Sequence, residues 1–123
     1  MTKASSPKVY DLEERTLKFA GRCRDFINKL PRTITNNEYS KQLARSSGSQ
    51  AANYIEANES LSRKDFFLRI KISRKEVKES RLWLGLCDTG KSVDLTEEQK
   101  KLIQEGVELT KIFGAIVEKG KSF

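Results

Sequence analysis

Residues 62–90 read SRKDFFLRIKISRKEVKESRLWLGLCDTG. Within them Phe66, Ile70, Ser73, Val77, Ser80, Leu84 and Cys87 recur at spacings of four and three, the repeat that lines side chains along one stripe of an α-helix. Ser62 stands where an N-cap belongs, Asp65 falls in the first turn, and Thr89-Gly90 supplies a stop. The stretch therefore predicts a helix over 63–88.

The same rhythm extends outward on both sides. Upstream, Leu12, Thr16, Phe19, Cys23, Phe26 and Leu30 keep it until Pro31, which has no N–H to continue a helix, so a helix is predicted over 11–30. Between the two, Thr35-x-x-Glu38 reads as a capping box opening a helix over 36–57, with Tyr39, Leu43, Ser46 or Ser47, Gln50, Tyr54 and Ala57 inward. Downstream, Thr96-x-x-Gln99 opens a fourth over 96–119, with Leu102, Gly106, Leu109, Phe113 and Ile116 inward. No segment alternates as a strand does. Helices of about 20 residues are ~30 Å long, and the links around Pro31, Asn58 and Gly90 are short enough to make neighbours antiparallel. The fold class is all-α: an up-and-down antiparallel four-helix bundle, residues 1–123 as one domain, with left-handed crossing. Only Met1–Val9 and the last few residues read as tails.

Composition fits that fold and narrows function. With 123 residues, 37% hydrophobic and 33% charged, the chain is long enough to bury roughly 65% of its unfolded surface without staples. There is no histidine, which removes the commonest general base, zinc ligand and triad member. Cys23 and Cys87 form no C-x-x-C pair and read as buried free thiols. No catalytic residue, metal or cofactor is expected. No apolar run approaches the ~18 residues of a membrane span, and MTKASSPKVY lacks the apolar stretch of a secretory signal, so a cytoplasmic location is expected and no membrane partner.

The net charge of +7 is uneven: residues 1–34, 35–60, 61–92 and 93–123 carry +4, −1, +5 and −1. On the third helix Lys71, Arg74, Lys75, Lys78 and Arg81 fall within about 120° of arc at 100° per residue, away from the core line. Arg15, Lys18, Arg22 and Lys29 do the same on the first. Like charges one turn apart repel by a few tenths of a kcal/mol. Their clustering suits either a solvated face or a contact with nucleic-acid phosphates. A membrane surface fits less, because an aromatic lipid-facing stripe is missing. No base-reading motif accompanies the charge.

The third helix carries a second apolar line, Leu68, Ile72, Leu82 and Leu86 with Trp83 at its border, about 140° from the first at 100° per residue. One buried stripe suffices for a bundle helix. The second line reads as a self-association surface or as a wider core, with Glu79 in its middle. Arg45, Ser49, Asn53 and Glu56 form a polar stripe on the second helix, facing Ser73, Glu76, Glu79 and Ser80 on the third. Without a nucleophile or metal cluster, these carboxylates read as a network fixing helix register rather than as acid–base machinery. Ser46, Ser47, Gly48, Ala51 and Ala52 would let helices approach closely.

RSSGSQAANYIEA (45–57), DFFLRIKISRKEVKESRLWL (65–84) and the DLEERT opening (11–16) together resemble the four-helix-bundle family encoded in intervening sequences of large-subunit ribosomal RNA genes. The resemblance runs from about Tyr10 to Leu86 and more loosely through the fourth helix. It is carried by Arg45, Ser49, Asn53 and Glu56, then Phe67, Glu76, Glu79 and Trp83, and departs at Gln50, where that family commonly has an apolar residue. It implies a bacterial bundle assembling as a ring-like homopentamer and associating with RNA or the ribosome. The accessory proteins of diversity-generating retroelements are similar in fold and charge. Partners expected on these grounds are further copies of the chain and RNA. The alternative is an adaptor or structural assembly protein without nucleic acid.

Overall fold

The computed structural model describes residues 12–121, which form four α-helices: α1 (Leu12–Lys29), α2 (Ile34–Asn58), α3 (Arg63–Leu86) and α4 (Val93–Gly120). Each packs on its sequence neighbours, α4 closes on α1, and the diagonal pairs do not meet. This is the up-and-down bundle that the periodicity predicts. The expected tail Met1–Val9 lies outside the described residues.

The core follows the inward lines with small shifts. Leu12, Phe19, Cys23, Phe26, Leu43, Tyr54, Ile70, Val77, Leu84, Leu102, Leu109 and Phe113 are buried, whereas Tyr39 and Phe66 are half-buried at its edge. On α4 the line gains Leu95 and ends on Val117, leaving Ile116 half-buried.

Two of the predicted helix starts move, because a capping-box pattern does not say which nearby hydroxyl precedes the first helical residue. Thr33, not Thr35, caps α2: its backbone is extended and its hydroxyl accepts the Asn36 N–H at 3.1 Å. Ser92, not Thr96, caps α4 by accepting the Leu95 N–H at 3.1 Å. Ser62 caps α3 as expected, accepting the Asp65 N–H at 3.1 Å. Gln99, predicted as the second half of a capping box, instead reaches across to α3. Its Nε2 donates to the carbonyls of Leu84 and Cys87 at 2.8 and 2.9 Å. A helix end leaves such carbonyls without intrahelical partners, and α3 stops at Leu86 because Cys87 is already extended.

The loops 30–33 and 87–92 share one end of the bundle, where Asn36 ties them together. Asn36 is 1% exposed. Its Nδ2 donates to the carbonyls of Pro31 and Asp88, and its Oδ1 accepts the Asp88 N–H, all at 2.9 Å. Gly90 has φ +67°, and a Cβ there would lie 3.3 Å from the Pro31 ring. Backbone conformation and space both favour glycine at this corner.

The α2–α3 seam is the most extensive, and small hydroxyl side chains let the backbones approach. Ser46 and Ser80 share a hydrogen bond at 2.8 Å, Ser73 donates to the Gln50 carbonyl at 3.0 Å, and Gln50 Nε2 reaches the Thr16 carbonyl on α1 at 2.7 Å. Each such bond contributes about 1 kcal/mol net. More importantly, the buried polar atoms match in one register only. Ser47 and Ala51 are also buried, whereas Gly48 and Ala52 face solvent, outside the packing role expected of all five small residues.

Candidate nucleic-acid interface

α3 turns four sides to four environments. Val77 and Leu84 point inward, and Ser73, Glu76 and Ser80 meet α2. Arg74 and Arg81 lie against α4, and the crest faces outward. Arg74 is half-buried, with its guanidinium near Gly114 and Glu118. Arg81 lays its stem over Gly106 and places Nη1 3.4 Å from Thr110 Oγ1. Between these arginines and the crest, Lys71, Lys75 and Lys78 are exposed and make no ion pair or hydrogen bond among the described residues. With Arg74, Glu79 and Leu82 they line a depression of about 350 Å³.

The basic face predicted on α1 is largely committed to the fold. Arg15 grips Glu105 with both ends of its fork, Nε to Oε2 at 2.6 Å and Nη2 to Oε1 at 2.9 Å, and Arg22 Nε meets Glu98 Oε2 at 3.2 Å. The hydrogen bond to Glu105 holds the Arg15 guanidinium above its ordinary pKa despite partial burial. These pairs fasten α1 to α4 along the least extensive seam. Lys18 and Lys29 stay exposed. Lys29 borders an α1–α4 cleft of about 580 Å³ in which Asp25, Asp94 and Glu98 answer Arg22 and Lys29, so the cleft carries no excess positive charge. Of the nine predicted nucleic-acid contacts, the three α3 lysines together with Arg74 form the continuous group.

The polar stripe resolves into two clusters. Arg45 Nη2 lies 2.8 Å from Glu79 Oε1 and its Nη1 3.2 Å from Glu76 Oε1, one arginine holding both α3 carboxylates. Glu76 is 6% exposed, and its Oε1 lies outside hydrogen-bond geometry, so the contact is ionic. In the second cluster Asn53 donates to the Ser49 carbonyl at 2.9 Å and Oγ at 3.1 Å, and accepts from Arg69 Nη1 at 2.9 Å. Arg69 is absent from the sequence-derived set. Its charge drew it to the basic count, although its position one helical turn before Ser73 marks it as facing α2. Glu56 is exposed, and its side chain makes no hydrogen bond or ion pair among the described residues.

The second apolar line is not a wider core. Leu68, Leu82 and Leu86 are 52%, 53% and 45% exposed, and Ile72 is half-buried. Trp83 is half-buried with its ring stacked on Tyr39, centroids 5.9 Å apart, and its buried Nε1 has no acceptor. Lys75 and Glu79 divide the line into a Leu68–Ile72 part and a Leu82–Leu86 part. Cys23 and Cys87 are buried free thiols. Burial pushes them up to about 12 and about 11, so both stay protonated and unreactive near neutral pH. Among the described residues no group of His, Cys, Asp or Glu could hold a metal ion, and no helix is long and apolar enough to cross a membrane.

The fold and surface define a small helical bundle that presents one amphipathic helix, its crest apolar and its flank basic, rather than one that encloses a pocket. Residues 9–115 match the family described as 23S rRNA-intervening sequence protein, and the chain belongs to that family. It is similar to the crystal structure, at 1.70 Å resolution, of a protein with unknown function from the S23 ribosomal protein family of Bacteroides thetaiotaomicron. The two are 27% identical with a TM-score of 0.69, over 85% of this chain and 96% of the other. No curated protein matches the chain.

Proposed function

We propose that the protein is a non-enzymatic, self-associating bundle that holds RNA by its phosphates through the α4-side flank of the α3 crest. The observation that carries this reading is the Lys71–Lys75–Lys78 row with no carboxylate partner. Glu79, the acidic residue beside it, is engaged by Arg45. Like charges one turn apart raise the energy of the free helix by a few tenths of a kcal/mol per pair, and phosphate oxygens relieve that repulsion while releasing counterions. No aromatic side chain lines the depression, so bases have no stacking platform there and the ligand is structured RNA held by its backbone. A family named for 23S rRNA-intervening sequences supplies a ribosomal RNA context in the bacterial cytoplasm. The exposed Leu68, Leu82 and Leu86 support self-association, and five copies is the stoichiometry the resemblance implies.

The test is retention of a structured RNA on a filter across roughly 50–200 mM salt. Log affinity should fall linearly with log salt, and Lys71→Glu with Lys78→Glu should reduce the slope by about one per lost contact. No retention at the lowest salt, or a slope unchanged in the double variant, overturns the reading. Co-purification with a protein partner and no nucleic-acid absorbance would select the adaptor alternative instead.

A further inference from the structure

The α3 crest can be one half of a contact between copies, and a second unpartnered apolar surface lies elsewhere on the bundle. Leu17 on α1 is 66% exposed and Ile55 on α2 is 47% exposed. Glu13 accepts from Asn58 Nδ2 at 3.1 Å, and Thr16 meets Gln50 through its carbonyl. That register sets Leu17 level with Ala51–Ile55 across the α1–α2 seam. Ala44, Gly48 and Ala52 continue the surface along α2, all exposed. Gly48 sits in the middle of a 25-residue helix, where glycine costs about 1 kcal/mol relative to alanine. A Cβ at Gly48 would meet nothing within 4 Å in its own chain, so the fold of one copy does not ask for glycine there.

The rims of the two surfaces are opposite in charge. Around Leu17 and Ile55 stand Glu13, Glu14, Glu56 and Glu59, all exposed and none ion-paired among the described residues. On the α3 crest Lys75 stands between the two leucine-bearing parts, with Lys71 beside it. Pairing crest with crest would set Lys75 near its own copy and leave Leu17 and Ile55 uncovered. Pairing the α1–α2 face with itself would gather the carboxylates.

Resting on the self-association reading above, we infer that the α3 crest of one copy docks on the α1–α2 face of the next, Lys75 meeting the Glu56–Glu59 rim. Such a contact joins two different surfaces, so it propagates from copy to copy and closes where the rotation fits. It leaves Lys71 and Lys78, on the α4 side of the crest, at the border and open to phosphate.

The experiment uses two full-length variants, Leu82→Glu with Leu86→Glu on the crest, and Leu17→Glu with Ile55→Glu on the opposite face. All four positions are exposed, and retained helicity by circular dichroism confirms folding. In light scattering each variant alone should be a monomer, while an equimolar mixture should give a species of twice the chain mass, because one intact crest and one intact face remain. A wild-type monomer at tens of micromolar overturns the self-association reading itself. An oligomeric wild type whose variants fail to complement, or a Leu17→Glu with Ile55→Glu protein that keeps its size, overturns the pairing of faces. Charge exchange is the second measurement: Lys75→Glu should lower association at least tenfold, and mixing it with Glu56→Lys/Glu59→Lys should restore it. Failure of that restoration counts against the inference.

Discussion

Replacing Gln50 by methionine should leave the bundle as stable as it is or more so, although Gln50 is 0% exposed and makes a short hydrogen bond. Its Nε2 donates to the Thr16 carbonyl at 2.7 Å, but Oε1 is buried with no partner. A buried acceptor left unsatisfied costs about 1–3 kcal/mol, whereas the bond lost on the other arm contributes about 1 kcal/mol. The Thr16 carbonyl sits in the interior of α1, so its helical bond remains. The Ser73 hydroxyl bonds the backbone of residue 50, not its side chain, and also remains. Methionine has nearly the same length and flexibility, so no cavity opens. The balance is a gain of about 1 kcal/mol, near 3–5 °C in Tm for a domain of this size.

Thermal and urea unfolding followed by circular dichroism reads this directly, with Gln50→Ala as the control. That variant removes the same orphaned oxygen but empties the site. It should fall below Gln50→Met by the ~2–5 kcal/mol of a buried Met-to-Ala truncation. A loss above about 1 kcal/mol in Gln50→Met would refute the reasoning, because it would mean that Oε1 is satisfied, as by an enclosed water.

Asn36→Asp should destabilise by about 3 kcal/mol, like Asn36→Ala, even though it is isosteric. A carboxylate keeps the Asp88 N–H bond but sets an oxygen against two carbonyls at 2.9 Å, and urea midpoints would show the loss. Two helical glycines should respond in opposite directions when measured in the assembly-deficient Leu82→Glu/Leu86→Glu background. Gly48→Ala should gain about 1 kcal/mol of helix propensity with nothing in its way. Gly106→Ala would set a Cβ 2.7 Å from Arg81 Cγ, part of a packed stem rather than a free tip, and should lose about 1 kcal/mol after the propensity gain.

The helices and their inward faces were legible because burial is periodic and the period needs no partner information. Val77 and Leu84 could be placed from spacing alone. The helix starts were less so: Thr33, Thr35, Ser92 and Thr96 all carry the same capping chemistry, and only the turn geometry chooses among them. Asn36 and Gln99 were invisible as cross-ties because each bonds backbone atoms distant in sequence, which leave no side-chain signature. The charged residues were the hardest. Arg15, Arg22 and Lys71 look alike on a helical projection, yet the two arginines stand opposite Glu105 and Glu98 while the lysine stands opposite nothing. Telling a structural cation from an available one requires the facing helix.

That distinction bears on how so small a basic surface could be useful. Three lysines and one arginine on a single copy make few phosphate contacts, and non-specific binding of that kind is weak, with Kd of about 10⁻⁴–10⁻⁶ M at physiological salt. Joining crest to face repeats the same flank at a fixed interval on a rigid particle. Each further copy then meets the RNA at a high effective concentration, which can raise overall affinity by about 10²–10⁴ without any new contact. The split of the α3 surface serves that arrangement. Leu68, Lys75, Leu82 and Leu86 hold the outward line, and Arg74 and Arg81 pin the opposite flank onto α4. Lys71 and Lys78 remain where neither the core nor the next copy covers them. Assembly and RNA binding are then sequential uses of adjacent strips of one helix, the first making the second strong enough to matter.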